Sequence, residues 1–336
     1  MRVAVVCSAH GFGHVTRELV VGDALVAGGA EVTYFTAAPP AIVGPRRVVP
    51  WVADVGIAQR DSLTEDVAAT CARLADVASD ARIDALAAAL AGFDRVVVDI
   101  APPALEAARR AGVPAFAVGN FDWAWIYRHY PALGGWADRF AAWQAPHPAL
   151  FLEPGPGLFG FASVERFGVV GRVAGPVGAG GRAALCGPGE RAVLVCFGGF
   201  GLADVDEWLP FLPGVTWVVA PPMAPMPARP DVRWVDTVPF PALVAAADAL
   251  LTKPGYGIYA EAALAGTPIV WVDRGQFPEA PHLEAALRAR GDVKVEGRGR
   301  AAVAHALAAR WSTSRPAPVV SRAALGIAAR ILGNRA

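Results

Sequence analysis

An excess of charge of either sign is missing from this chain. Lys and Arg together number 30, Asp and Glu together number 30, and the net charge is zero. That balance gives no bulk attraction for nucleic acid or for an anionic membrane. Charged residues are also few, at 18% against 54% hydrophobic, so the composition argues against disorder and a large core is available. Cysteine is scarce: Cys7, Cys71, Cys186 and Cys196 have neither metal-ligand nor redox-pair spacing. Scattered cysteines in a long chain suit a reducing cytoplasm. Long apolar runs are missing too. The amino-terminal one, Val3 to Cys7, is too short for a signal peptide or a membrane span. Peripheral membrane contact stays open, because an aromatic surface does not register as net charge. Lysine is confined to Lys253 and Lys294, and the wealth of Ala, Arg and Gly reads as the bias of a GC-rich genome.

What is present is a regular alternation. The 336 residues suffice for two domains. Short β-branched runs at 2–7, 31–36, 47–51, 95–99 and 114–118 predict buried strands, separated by helical spacing at 14–27, 62–90 and after Pro102–Pro103. The rhythm breaks at 120–145, a stretch rich in Trp and Tyr. Gly171 to Glu190 is Gly/Pro-rich and aperiodic, and the domain boundary belongs there. The pattern then restarts, with strands at 192–197, 216–220, 232–235, 250–252 and 268–272 and helices up to 321–332. The reading is α/β: two doubly wound, Rossmann-like domains facing across a cleft, with ligands at the carboxyl ends of the strands. Residues 1–170 form the first domain, 171–189 a linker and 190–317 the second domain. Residues 318–336 are a final helix able to pack back on the first.

Several loops at strand ends carry chemistry. The first, SAHGFGHVTREL at 8–19, lacks the third glycine of a dinucleotide fingerprint, since Thr16 stands in that place. Its His14 faces the crevice, either as a general base on a hydroxyl or as a helix-start residue. Asp99 ends the fourth strand after three valines. It either caps the Pro102 helix or pairs with His14 and stabilises its protonated form. In the second domain, Gly198–Gly199–Phe200–Gly201 can cradle a diphosphate. TKPGYGIYAEAALAGTPIVWVD at 252–273 reads as a loop, a helix and a strand. Its Gly255 and Gly257 allow a sharp turn and close approach, the helix start suits phosphate, and Glu261 sits one turn further in. Lys253 contacts phosphate or is plain surface. Asp273, Gln276, Glu279 and His282 cluster where sugar hydroxyls need paired donors and acceptors, or form a solvated loop. DVD at 204–206 has the spacing of an acidic metal pair but sits at a helix start, where Asp is favoured anyway. The aromatics at 123–143 are core or an acceptor platform.

Taken together these residues resemble the GT-B glycosyltransferases, in the order GxGH loop, Asp after a later strand, Gly-rich linker, GG loop and PGYGIYAEAALAGTPIVWV. The chain is similar to the inverting members that include the bacterial peptidoglycan lipid-intermediate N-acetylglucosaminyltransferase and the plant natural-product glucosyltransferases. In particular it resembles the glycosyltransferase-like amino-terminal half of plant L-arabinokinases, through KxGYGxxxEA at 253–262 and an NFxWxxIY-like stretch at 120–127. No galactokinase-type domain follows before Ala336, so kinase activity is not expected with it.

The resemblance implies an inverting, metal-independent transfer of a sugar from a UDP- or dTDP-linked donor to a hydroxyl, with no further cofactor. It makes His14 the base and Asp99 its partner. It gives the donor Arg172, Gly198, Gly199, Phe200, Gly201, Val238, Lys253, Gly255, Tyr256, Gly257, Glu261, Gln276 and Glu279. His10, Asn120, Trp123, Trp125 and Tyr127 fall to a small-molecule or lipid-linked acceptor. Lys253 stands where retaining relatives carry a second Glu, which favours inversion. The His and Trp of the plant signature are replaced here, and Gly275–Gln276 stands in for the usual Asp–Gln pair, leaving the donor sugar open. A sugar-nucleotide epimerase and a non-catalytic, partner-activating subunit are the other readings of the same fold.

Overall fold

The computed structural model describes residues 1–9, 11–61, 64–174, 179–197, 205–226, 229–275 and 277–333. The chain divides into two compact units. One comprises Met1–Arg60, Glu65–Val170 and Ser321–Ala336, and the other holds Gly171–Val320.

The first unit is built on a seven-stranded parallel sheet. Its order is Val48–Pro50, Glu31–Thr36, Arg2–Cys7, Arg95–Asp99, Ala115–Gly119, Pro148–Leu152 and Ser163–Phe167. The central strands are runs of Val and Ala because both of their faces are covered. Val3, Val5 and Cys7 point to one face, where they meet Val15, Leu19 and Leu25 of the helix Phe12–Ala27. Ile327, Ala328 and Ile331 of the final helix, Ala323–Leu332, complete that core. The order reverses between Arg2–Cys7 and Arg95–Asp99, where Cys7 lies opposite Asp99. The aromatic stretch folds as two helices, Trp123–Tyr127 and Gly134–Gln144.

The second unit repeats the scheme with six parallel strands. They run Val232–Trp234, Val215–Val219, Arg191–Cys196, Ala249–Thr252, Ile269–Trp271 and Val293–Lys294. Alternate residues feed two cores. Leu194, Cys196, Leu250 and Trp271 pack with the helices Phe240–Ala246, Tyr256–Ala265 and Ala280–Ala289. Val193, Val195, Leu251 and Val270 pack with Gly299–Trp311. Numbered within the unit, the order is 3-2-1-4-5-6, and the reversal falls between Arg191–Cys196 and Ala249–Thr252. The stretch 171–189, read from sequence as a linker, contains the helix Ala179–Leu185. A seven-residue helix with three Gly/Ala steps has too few turns to register as periodicity. Among the described residues no helix is long and apolar enough to cross a membrane.

Candidate active site

The strand reversal in each sheet leaves a crevice at the carboxyl ends of two adjacent strands, where helices on opposite faces diverge. His14 and Asp99 lie at that point in the first unit, and Lys253, Gly255 and Tyr256 follow a strand that borders it in the second.

In the first unit, Gly11 opens the helix Phe12–Ala27 with no side-chain cap, and His14 follows in its first turn. His14 Nδ1 lies 2.9 Å from Asp99 Oδ2 and 3.2 Å from Oδ1. The helix after Asp99, Pro102–Arg110, has no side-chain cap, so of the two roles open to Asp99 the pairing with His14 is the one formed. Asp99 is wholly buried while the His14 side chain is 15% exposed, so the imidazole reaches outward from a carboxylate that solvent does not touch. Ile100, immediately after Asp99, has φ +44°, unlike every other non-glycine among the described residues. A β-branched residue there marks backbone strain beside Asp99. Gly119 on the neighbouring strand makes room, since a Cβ there would stand 2.3 Å from Ile100 Cγ2.

Asp99 has a second partner that sequence reasoning missed. Arg17 donates from Nη2 to Asp99 Oδ1, from Nη1 to Asn120 Oδ1 at 2.5 Å and from Nε to Glu18 Oε1 at 3.2 Å. Burial pushes the Asp99 carboxyl up, but the Arg17 guanidinium, and then His14, outweigh it and hold Asp99 below the ordinary carboxylate range. Burial raises Glu18 to about 8, with the Asp99 charge adding to it and Arg17 only partly opposing. The signal was legible: Arg17 and Glu18 lie three and four residues after His14, on the same helix face.

Asp54, on the loop after the strand Val48–Pro50, was also missed. It accepts from Ser8 Oγ at 2.7 Å and from Trp123 Nε1 at 2.9 Å. Burial raises it to about 6, against the lowering pull of Ser8 and His14. No spacing in the sequence links it to His14, and only the fold brings them together.

The residues assigned to the acceptor separate. Asn120 is occupied by Arg17 and by donation to the Leu152 and Pro154 carbonyls at 2.7 and 3.0 Å. Trp123 and Tyr127 are buried, with Tyr127 Oη donating to the Gly56 carbonyl at 2.8 Å. Trp125 is half-buried against His129 and Phe159. Phe121 meets His14 edge-on at 6.1 Å. His10 lies outside the described residues.

In the second unit, the strand Ala249–Thr252 runs through Lys253 and Pro254 into the helix Tyr256–Ala265. Gly255 has φ −161°, extended backbone that any residue adopts, and Gly257 is helical. The sharp turn expected of these glycines is therefore not made. Their contribution is bare backbone at a helix start, where N–H groups lack intrahelical partners. Glu261 is 5% exposed and accepts from Arg172 Nε at 2.6 Å. Burial raises the Glu261 carboxyl, with Arg172 pulling it back. Gly171 makes this pairing feasible: a Cβ there would lie 3.0 Å from Ala260 Cβ and 3.2 Å from Glu261 N. Arg172, given to the donor by the resemblance, is thus engaged by Glu261.

Lys253 and Tyr256 are half-buried at the loop and helix start, and Val238 is half-buried against the core. Glu279, nearly buried, accepts from Arg274 Nη1 at 2.7 Å, and Arg274 covers the Phe277 ring. Asp273 is held by Lys294 at 3.1 Å. Asp206 pairs with Arg229 and Arg300. Gly198, Gly199, Phe200, Gly201, Asp204 and Gln276 lie outside the described residues.

Comparison with known proteins agrees with this architecture. No family model matches the chain. It is 28% identical to L-arabinokinase of Arabidopsis thaliana over 305 residues, covering 83% of this chain and 29% of that protein. The chain therefore spans under a third of the length of the curated relative it matches. Among solved structures it resembles the glycosyltransferase SnogD from Streptomyces nogalater, with TM-score 0.62, 18% identity and 99% of both chains covered. It also resembles the spinosyn forosaminyltransferase SpnP, with TM-score 0.63 and 17% identity over 100% of this chain and 96% of that one. A third is UGT89C1 of Arabidopsis thaliana, solved with UDP, with TM-score 0.61 and 12% identity over 98% and 94%. The fold is that of the GT-B glycosyltransferases.

Proposed function

We propose that this chain transfers a sugar from a nucleoside diphosphate sugar to an acceptor hydroxyl, with inversion and without a metal ion. The observation that carries the reading is the His14–Asp99 pair at the strand reversal of the first unit. A half-shielded imidazole backed by a buried carboxylate is the arrangement that lets a base take a hydroxyl proton and remain stable once charged. In the second unit, the start of the Tyr256–Ala265 helix receives the diphosphate, aided by Lys253, and stabilises the charge that grows on it as the sugar departs. Glu261 takes the ribose hydroxyls, with Arg172 orienting its carboxylate. Gly198–Gly201, Val238, Gln276 and Glu279 complete the donor set, and UDP and dTDP are the carriers of choice. Inversion is favoured by Lys253, which stands where retaining enzymes of this fold hold a carboxylate.

The acceptor is a small molecule or a lipid-linked hydroxyl. We assign His10 and Trp125 to it, while Phe121 packs edge-on to His14 and Asn120, Trp123 and Tyr127 are held by Arg17, Asp54 and the Gly56 carbonyl. We place the activity in the cytoplasm, where the free thiols of Cys7, Cys71, Cys186 and Cys196 are at home.

The test is a nucleotide-sugar panel, with nucleoside diphosphate release followed in the presence and absence of candidate acceptors. Release that depends on an acceptor supports the transferase. Conversion of the donor sugar with no acceptor present would instead make the chain an epimerase. Binding of donor without turnover under any pairing would make it a sugar-nucleotide-binding subunit.

A further inference from the structure

The first turns of the helix Phe12–Ala27 set charged side chains at the reversal point, beside the apolar Val15 and Leu19 that cover the strands. His14, Arg17 and Glu18 share one face by their three- and four-residue spacing. Arg17 is 6% exposed, and Glu18 and Asp99 are wholly buried. Burying one guanidinium and two carboxylates is costly, and an apolar trio of similar volume would commonly be neutral or stabilising. The cluster is also unevenly satisfied. Arg17 reaches both carboxylates, yet among the described residues Glu18 Oε2 has no hydrogen-bond partner. One guanidinium is therefore divided between two acids, and only one of those acids touches His14.

We propose that Glu18 is a positioning residue that acts through Arg17 to set how firmly Asp99 holds a proton on His14. When Glu18 carries a proton, the Arg17 charge is spent on Asp99, and Asp99 supports a charged imidazole weakly. When Glu18 loses its proton, Arg17 is drawn toward two anions, and the cluster balances a positive charge on His14. Proton gain at His14 and proton loss at Glu18 thus favour one another. Glu18 itself does not touch a substrate.

Among the described residues, the other ionisable groups facing the cluster are Cys7 on Arg2–Cys7, Tyr34 on Glu31–Thr36 and Asp54 on its loop. Burial raises Cys7 and Tyr34 well above their ordinary values, while Asp54 stands near 6. Only Glu18, raised to about 8, falls between them.

The role rests on His14 being the base, but its test reads the imidazole and not turnover, so a chain without transferase activity still answers it. The full chain, labelled with 15N at histidine, is titrated by NMR, with the His14 signals assigned from a His14→Gln variant. The expected result is an inflection of the His14 ring signals near pH 8 besides the ring's own, absent in Glu18→Gln and present, shifted, in Glu18→Asp. Persistence of that inflection in Glu18→Gln overturns the proposal. So does its absence from the unsubstituted chain, which decides the matter even if Glu18→Gln fails to fold.

Discussion

Arg172 and Glu261 meet at 2.6 Å on a helix whose start is the proposed diphosphate seat. Both oxygens of a ribose-binding carboxylate must be aimed, and a guanidinium locked on Oε1 leaves Oε2 with one direction to face. Arg172→Met removes that lock and leaves a nearly buried carboxylate without its cation. We expect weaker nucleotide binding, by about tenfold to a hundredfold, and a Glu261 carboxyl raised further. Calorimetric titration with UDP and dTDP checks the first, and an unchanged affinity would detach Arg172 from the donor site.

Gly119 and Ile100 set a steric condition on Asp99. Gly119→Ala forces a methyl to within 2.3 Å of Ile100 Cγ2, so the strained residue beside Asp99 must shift. Overpacking of this kind costs about 1–3 kcal/mol. Urea denaturation measures the loss, and the His14–Asp99 contact should lengthen in a crystal of the variant. Full stability in Gly119→Ala would mean that the φ of Ile100 is not under this constraint.

Glu18 makes stability depend on pH with a definite sign. Its folded value of about 8 stands above the ordinary 4.5, so the folded chain holds this proton more tightly than the unfolded one. The contribution is fully present below pH 4.5 and is lost as the pH climbs toward 8. Glu18→Gln cannot ionise and should be more stable than the parent at pH 8, by about 1–4 kcal/mol, and similar at pH 5. Urea midpoints at the two pH values test this. A larger gain at pH 5 than at pH 8 would reverse the sign and refute it.

Much of this was legible in the sequence. Val3–Cys7 and Arg191–Cys196 announce the central strand of each sheet, because strands covered on both faces must be continuously apolar. Asp99 after three valines signals a carboxylate at a strand end, and Glu261 on an Ala-rich helix signals an acid with a partner. Arg17 and Glu18 were within reach at helical spacing from His14, but a charged pair on a helix ordinarily reads as solvent-facing. Asp54 was not legible, because a loop of irregular backbone carries no period that points its side chains. Nor was the engagement of Asn120, whose partners Arg17, Leu152 and Pro154 lie far away in the chain. The Ala179–Leu185 helix was hidden by the Gly/Pro content around it.

Trp123 ties the aromatic stretch to Asp54 through one hydrogen bond of 2.9 Å. Trp123→Phe keeps most of the buried ring and removes the donor. We expect a loss of about 1–2 kcal/mol and an Asp54 carboxyl raised above its value of about 6. Carboxyl 13C titration follows Asp54 directly, and an unmoved value would show that Trp123 does not support it.

The most direct measurement is made on His14→Ala, with turnover and nucleotide binding read on the same preparation. If His14 is the base that Asp99 supports, transfer falls by about 10²–10⁴-fold, while UDP or dTDP affinity stays within about twofold, because the proposed donor elements belong to the second unit. Transfer within a few-fold of the parent, at equal folding and equal donor binding, would contradict this and remove His14 from the chemistry.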